Sequence, residues 1–398
     1  MVGVLGAGTM GAGIAQTATE AGLEVLIHDP VAGATDRARE RIAAFIARKV
    51  EKGELSEVER AASVARIGTS ATLEGLAVAG IVIEAIPEDM ELKRDAFRRL
   101  SVVAGADTIL ATNTSSLSVA RIASASVHPD RVVGMHFFNP VPLMALVEVI
   151  PGPLTDPVVT DSVALMARLV GKMPVISADT PGFIVNRVQR AYYLEACRMV
   201  ERGLADVTAV DDAMRGTGFR LGPFELADVV GTDVNLAAGI AIFEGFFGDP
   251  RYRPCLVQRR VADAGRLGRK SNAGYYDYGA DGGRGAAWSQ IGARSADAWG
   301  FTRLAAAEIE ARVLAAIVNE AASAVADGVA SPEAIDTAMR LGTNWPDGPL
   351  AWGQRIGLVS VVRLLDSMHA SVPDGRYRVT PLLRHLADRG GMFLRSQD

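Results

Sequence analysis

Residues 2–29 read VGVLGAGTMGAGIAQTATEAGLEVLIHD, and this stretch decides the fold. A short apolar run, VGVL, breaks at Gly6, and Gly6, Gly8 and Gly11 then follow in the G-x-G-x-x-G spacing. A helix-forming segment comes next, and a second apolar run, LEVLIHD, ends in Asp29, 18 positions beyond Gly11. The strand before, helix after and terminal acid are the context a dinucleotide-binding turn requires. Gly6 permits the tight turn, Gly8 lets the backbone approach a pyrophosphate, and Gly11 lets helix pack on strand. Amides at the helix start face the phosphates. Asp29 is expected to accept hydrogen bonds from the adenosine ribose and to repel a 2′-phosphate, which favours NAD over NADP. A plain turn aspartate is the other reading of HDP.

Further strand-like runs follow at α/β spacing: GIVIEAIP, DTILATNTS, RVVGMHFF, ALVEVI and MPVISAD. Ligands of such sheets gather at the carboxyl ends of the strands, and Glu88, Asn113, Ser115 and His136 lie at or just past those ends. Glu148 stands alone inside the apolar run ALVEVI, twelve residues after His136. A buried carboxylate without a partner is costly. The sequence therefore predicts that Glu148 orients the His136 ring, leaving the other ring nitrogen to exchange a proton. Beyond ADTPGFIVNR the α/β pattern stops, and an amphipathic helix begins with Asn186 in its first turns.

The bulk composition limits the alternatives. The chain has 398 residues, more than one ordinary core accommodates. Net charge is −5 and no dense basic block is present, so no nucleic-acid partner is expected. No apolar run reaches bilayer length, the first residues show no secretory pattern, and Cys197 and Cys255 stand singly. A cytoplasmic protein without a membrane partner or metal site is expected. Only five of the 41 basic residues are lysines: Lys49, Lys52, Lys93, Lys172 and Lys270.

The last third repeats the middle. NRVQRAYYLEACRMVERGLADVTAVDDAM (186–214) aligns with ARVLAAIVNEAASAVADGVASPEAIDTAM (311–339) at a constant offset of 125. GPFELADVVG is answered by GPLAWGQRIG, and RYRPCLVQRRVADAG by RYRVTPLLRHLADRG. The expected organisation is an α/β Rossmann-type domain over 1–182 and a helical domain over 183–278. A Gly-rich linker follows over 279–302, then a second, degenerate helical copy over 303–398. Asn186 falls on Ala311, so the second copy is expected to be structural.

Together GAGTMGAGIAQ, EAIPEDMELK, NTSSLSV, GMHFFNPVPLMALVEVI, DTPGFIVNR, GPFELADVVG and GRLGRKSNAGYYDY resemble the L-3-hydroxyacyl-CoA dehydrogenases over residues 2 to about 278. The resemblance implies reversible hydride transfer between C3 of a 3-hydroxyacyl-CoA and NAD. It makes His136 the general base, Glu148 its partner, and Ser115 and Asn186 substrate-binding residues. It also implies that Glu88, Lys93, Asn113, Ser115, Asn139 and Lys270 contact NAD, and that Lys52 or Lys49 contacts CoA. Asn272 stands where relatives usually carry glycine. Single-copy relatives usually dimerise through the helical domain, so residues 183–275 and 305–390 are expected to pack together as an internal pseudo-dimer. Association of whole chains as a homo-oligomer remains open. Two rival readings are another β-hydroxyacid dehydrogenase and a non-catalytic, crystallin-like NAD(H)-binding protein. The first is expected to use a lysine base near FIVNR, where none occurs.

Overall fold

The computed structural model describes residues 1–291 and 302–394 and divides into two compact units, Met1–Phe183 and Ile184–Asp398. The first unit is an eight-stranded sheet in the order β3-β2-β1-β4-β5-β6-β7-β8. Its strands are β1 (Val2–Leu5), β2 (Val25–His28), β3 (Ile67–Thr69), β4 (Ile81–Glu84), β5 (Ile109–Thr112), β6 (Val132–Phe137), β7 (Leu146–Pro151) and β8 (Met173–Ile176). The first six run parallel, and β7 turns back antiparallel to β6. Helices α1 (Thr9–Glu20), α2 (Ala34–Glu51), α3 (Glu57–Ala65), α4 (Met90–Val103), α5 (Val119–Ala123) and α6 (Pro157–Leu169) make the connections. Strands such as VGVL and IVIE are buried along their whole length, as expected for a parallel sheet covered on both faces. All the expected strands form; β3, only three residues long, is too short to stand out as a hydrophobic pattern.

The second unit holds two successive sets of five helices. The first is α7 (Val185–Glu201), α8 (Val207–Gly216), α9 (Pro223–Val230), α10 (Thr232–Gly245) and α11 (Leu256–Asp263). Within the Gly-rich stretch read as a linker, β10 (Arg284–Ala287) pairs antiparallel with β9 (Tyr276–Tyr278). The rest of that stretch, from 292 to 301, lies outside the described residues. The second set is α12 (Ala306–Ala326), α13 (Pro332–Thr343), α14 (Pro349–Ile356), α15 (Leu358–Ser371) and α16 (Pro381–Arg389).

The repeat carries its own local chemistry. In the first set Asp211 accepts the Phe224 and Glu225 amides at 2.9 and 3.0 Å; in the second, Asp336 accepts those of Leu350 and Ala351 at 2.8 and 3.0 Å. Each carboxylate satisfies orphan amides at the start of the next helix. Gly222 and Gly348 are required there, since a Cβ on either would lie under 2.5 Å from the aspartate. The two sets also contact each other reciprocally. Arg187 Nε donates to Glu320 at 2.7 Å, and Arg312 Nε donates to Glu195 at 2.9 Å. These are the same two positions with the copies exchanged, as a two-fold arrangement demands. Phe219 and its counterpart Trp345 meet edge to face, with ring centroids 5.5 Å apart.

Among the described residues no single helix is long and apolar enough to cross a membrane; α9 and α10 pass only as a pair bent by 100°.

Candidate active site

The glycine turn leaves β1 with Gly6 at φ +104°, where a Cβ would lie 2.6 Å from the Ala85 carbonyl oxygen. At Gly11 a Cβ would lie 1.9 Å from the Gly6 oxygen, so α1 packs directly on the turn. At Gly8 a Cβ would meet nothing within 4 Å. That open face is where a pyrophosphate can approach the backbone, and these residues fit a dinucleotide. Asp29 accepts the Ala7 amide at 2.8 Å through one oxygen and the Val31 amide at 2.8 Å through the other. It braces the turn, a task the sequence did not reveal, and each oxygen keeps a further lone pair for a ribose hydroxyl.

His136 and Glu148 stand directly opposite each other in the antiparallel β6–β7 register. The imidazole Nδ1 lies 2.7 Å from Glu148 Oε2, with His136 6% and Glu148 0% exposed. An ionised carboxylate can only accept, so Nδ1–H donates and Nε2 is the nitrogen available for proton exchange. Phe138 and Phe183 flank the ring at centroid distances of 4.4 and 6.0 Å. Phe183 is buried and holds φ +49°, a conformation costly for an aromatic residue.

Two carboxylates grip the segment that carries Ser115. Glu88 Oε1 accepts the Thr114 hydroxyl at 2.7 Å and the Ser115 amide at 2.9 Å. The Ser115 and Ser116 hydroxyls each lie 3.2 Å from the same oxygen. Burial raises the Glu88 carboxyl, but the Lys93 ammonium and these hydrogen bonds outweigh it and hold it below the ordinary range. Behind it, buried Lys93 donates to Glu84 at 2.6 Å and lies 3.3 Å from Glu88. On the far side, Asp179 accepts Ser118 Oγ at 3.1 Å and the Val119 and Ala120 amides at 3.1 and 2.8 Å. Asn113 accepts the Phe137 amide at 2.8 Å, tying the end of β5 to the residue after His136.

The loop after β6 begins with a cis Asn139–Pro140 bond. It lines one side of a cavity of about 320 Å³ whose other walls include Thr9, Arg41, Arg48, Lys49 and Lys52. Lys172, buried, donates to the Val141 and Met144 carbonyls at 2.5 and 2.8 Å and so holds this loop. Lys49 is paired with Glu20 at 2.6 Å.

Of the residues that sequence reasoning singled out, His136, Glu148, Glu88, Lys93, Ser115 and Asn113 lie together in the first unit. It missed Glu84, Asp179 and Lys172. Lys172 alone had a signal, as one of five retained lysines. Asn186 and Lys270 belong to the second unit. Asn186 is the second residue of α7, and Lys270 donates to both Asp233 oxygens at 2.7 Å. Asn272 adopts φ +55°, the left-handed region that glycine enters freely and asparagine tolerates.

The model for the 3-hydroxyacyl-CoA dehydrogenase NAD-binding domain matches residues 1–180, and that for the family's C-terminal domain matches 182–278 and again 309–397. The chain is 36% identical to 3-hydroxyadipyl-CoA dehydrogenase of Escherichia coli (strain K12), covering 97% of both. It is 44% identical to a probable 3-hydroxybutyryl-CoA dehydrogenase of Bacillus subtilis (strain 168), over 69% of this chain and 96% of that one. The crystal structure of 3-hydroxybutyryl-CoA dehydrogenase from E. coli K12 superposes with a TM-score of 0.89 at 35% identity, over 98% of each chain. The chain belongs to the 3-hydroxyacyl-CoA dehydrogenase family and is an NAD-dependent oxidoreductase of that reaction class.

Proposed function

We propose that the chain oxidises an L-3-hydroxyacyl-CoA at C3 with His136 as general base. The observation that carries this reading is the cross-strand His136–Glu148 pair at 2.7 Å on the rim that bears the glycine turn. Bound NAD supplies the hydride acceptor. His136 Nε2 takes the proton of the 3-hydroxyl, and Glu148 stabilises the imidazolium that results, as an orienting carboxylate does in other acid–base pairs. Ser115, set by Glu88, and Asn186, at the start of α7, hold the oxygens of the reacting acyl group. Gly6, Gly8, Gly11, Asp29, Glu88, Lys93, Asn113, Asn139 and Lys270 form the dinucleotide contacts. The cavity walled by Arg41, Arg48, Lys49 and Lys52 takes the phosphates of CoA, with Lys52 or Lys49 as a direct contact.

The relatives are named for two substrates, 3-hydroxyadipyl-CoA and 3-hydroxybutyryl-CoA, so acyl length and an ω-carboxylate are the points a substrate panel must decide. The chain is organised as four segments, 1–182, 183–278, 279–302 and 303–398. The two helical copies act as an internal pseudo-dimer, supported by the reciprocal Arg187–Glu320 and Arg312–Glu195 pairs. A cytoplasmic setting suits a reaction between two dissolved, charged cofactors.

Mixing the protein with NADH and acetoacetyl-CoA and following NADH loss tests the reading. Turnover is expected, and none with any 3-ketoacyl-CoA would sink it. His136→Gln should lower kcat by about two to four orders of magnitude, with NADH affinity nearly unchanged.

A further inference from the structure

The two helical copies offer an internal comparison at one buried layer. In the first copy it holds Arg190, Tyr193, Asn235 and Gln258, each at most 3% exposed. The equivalent residues of the second copy are Ala315, Val318, Val361 and Leu383, also at most 2% exposed. The offset is 125 in the first, second and fourth of these. It is 126 in the third, where one residue is inserted before α14.

The polar layer is an interconnected network. Arg190 Nε donates to the Asn186 carbonyl at 3.3 Å, and its Nη1 donates to the Asn235 carbonyl at 3.0 Å. Gln258 Nε2 donates to Asn235 Oδ1 at 3.1 Å, and the guanidinium lies 4.8 Å from the centre of the Tyr193 ring. Among the described residues no carboxylate lies within 4 Å of Arg190. A buried guanidinium held only by carbonyls and a ring face is expensive. The second copy builds the same helix layer without it, so the fold does not demand it. The copy with the network carries Asn186, and the copy without it carries Ala311.

We propose that Arg190, with Asn235 and Gln258, is a positioning network that fixes the first turn of α7 and hence the Asn186 amide. Its bonds run from that turn to α10 and on to α11, so the asparagine is held by three helices rather than by one fraying helix start. The proposal rests on the reading of Asn186 as a residue that touches the acyl substrate.

The test uses the second copy's own residues. The full chain carrying Arg190→Ala, Tyr193→Val, Asn235→Val and Gln258→Leu is assayed with NADH and acetoacetyl-CoA, alone and combined with Asn186→Ala. We expect kcat to fall at least tenfold toward that of Asn186→Ala, KM for NADH to stay within about twofold, and the combined variant to lose nothing further. Normal kcat in the fourfold variant beside an impaired Asn186→Ala overturns the proposal and leaves the role of Asn186 standing. Losses that multiply independently also overturn it. An Asn186→Ala enzyme with full activity removes the reading of Asn186 and the proposal with it. Should the fourfold variant fail to fold, Arg190→Met, which keeps most of the side chain's volume, decides through the same cycle.

Discussion

The two helical copies share a fold and differ in which polar residues they keep. Arg187 and Arg312, Glu195 and Glu320, Tyr252 and Tyr377, and Asp211 and Asp336 all recur. Each takes part in holding copy to copy or helix to helix. Asn186, Arg190, Asp233, Asn235 and Gln258 do not recur; Ala311, Ala315, Val359, Val361 and Leu383 replace them. The second copy also drops polar residues with structural partners: Asp228, which accepts the Tyr275 and Tyr276 amides, falls on Gln354, and Arg198, which donates to the Arg251 carbonyl, falls on Ser323. On the proposed reading, the second copy keeps the contacts that join the copies and cap its helices and lacks the network beneath Asn186.

Removing residues 303–398 tests this reading most severely. Arg187 would lose Glu320, and Phe219 would lose its contacts with Trp345 and Trp352. The truncated chain should dimerise or aggregate on size-exclusion chromatography. A monomeric truncation with wild-type activity would break the comparison. Next in size is Glu320→Ala. Arg187 is fully buried, and breaking one side of such a pair costs about 3–5 kcal/mol. Thermal and denaturant unfolding should register that loss, with kcat of the surviving folded protein nearly intact. A loss below about 1 kcal/mol would mean that Asp327, which also accepts from Arg187, carries the pair.

Exchanging the residues at positions 186 and 311 gives a sharper contrast. Asn186→Ala should lower kcat about 100-fold, the low end of what removing one oriented hydrogen-bond donor costs. Ala311→Asn should leave kcat and KM unchanged, although it restores the first copy's residue. Any effect of Ala311→Asn on turnover would show that the second copy takes part in the chemistry.

The sequence made the sheet legible because parallel strands are continuous apolar runs, and a lone Glu148 in such a run demanded a partner. The repeat was legible because its offset is constant over whole helices. What lay hidden were bonds between residues far apart in the chain. Glu88 meets Ser115 across 27 positions, Asp179 meets Ala120 across 59, and Lys172 meets Val141 across 31. Nothing in the local pattern around any of these marks the partner. The β9–β10 hairpin was hidden for a different reason: GADGG is composed like a linker, and the strands that pair on either side of it are short, with β10 itself beginning RG.

The smallest expected effect concerns the two helix-capping aspartates. Burial pushes the Asp211 carboxyl up to about 7 and the Asp336 carboxyl up to about 6, in each case against the pull of two backbone amides. In the unfolded chain both release their protons near the ordinary aspartate value of about 4. Between those limits the folded state binds more protons than the unfolded one, so stability must fall as pH rises. The contribution is complete below about pH 4 and is lost through about pH 6 for Asp336 and about pH 7 for Asp211. Tm should therefore decline between pH 5 and pH 8. Asp211→Asn should flatten most of the slope between pH 6 and pH 8, and Asp336→Asn mainly the slope between pH 5 and pH 6. If both variants keep the wild-type slope, the backbone amides hold the two carboxylates ionised throughout. The paired aspartates would then be pH-independent caps in both copies.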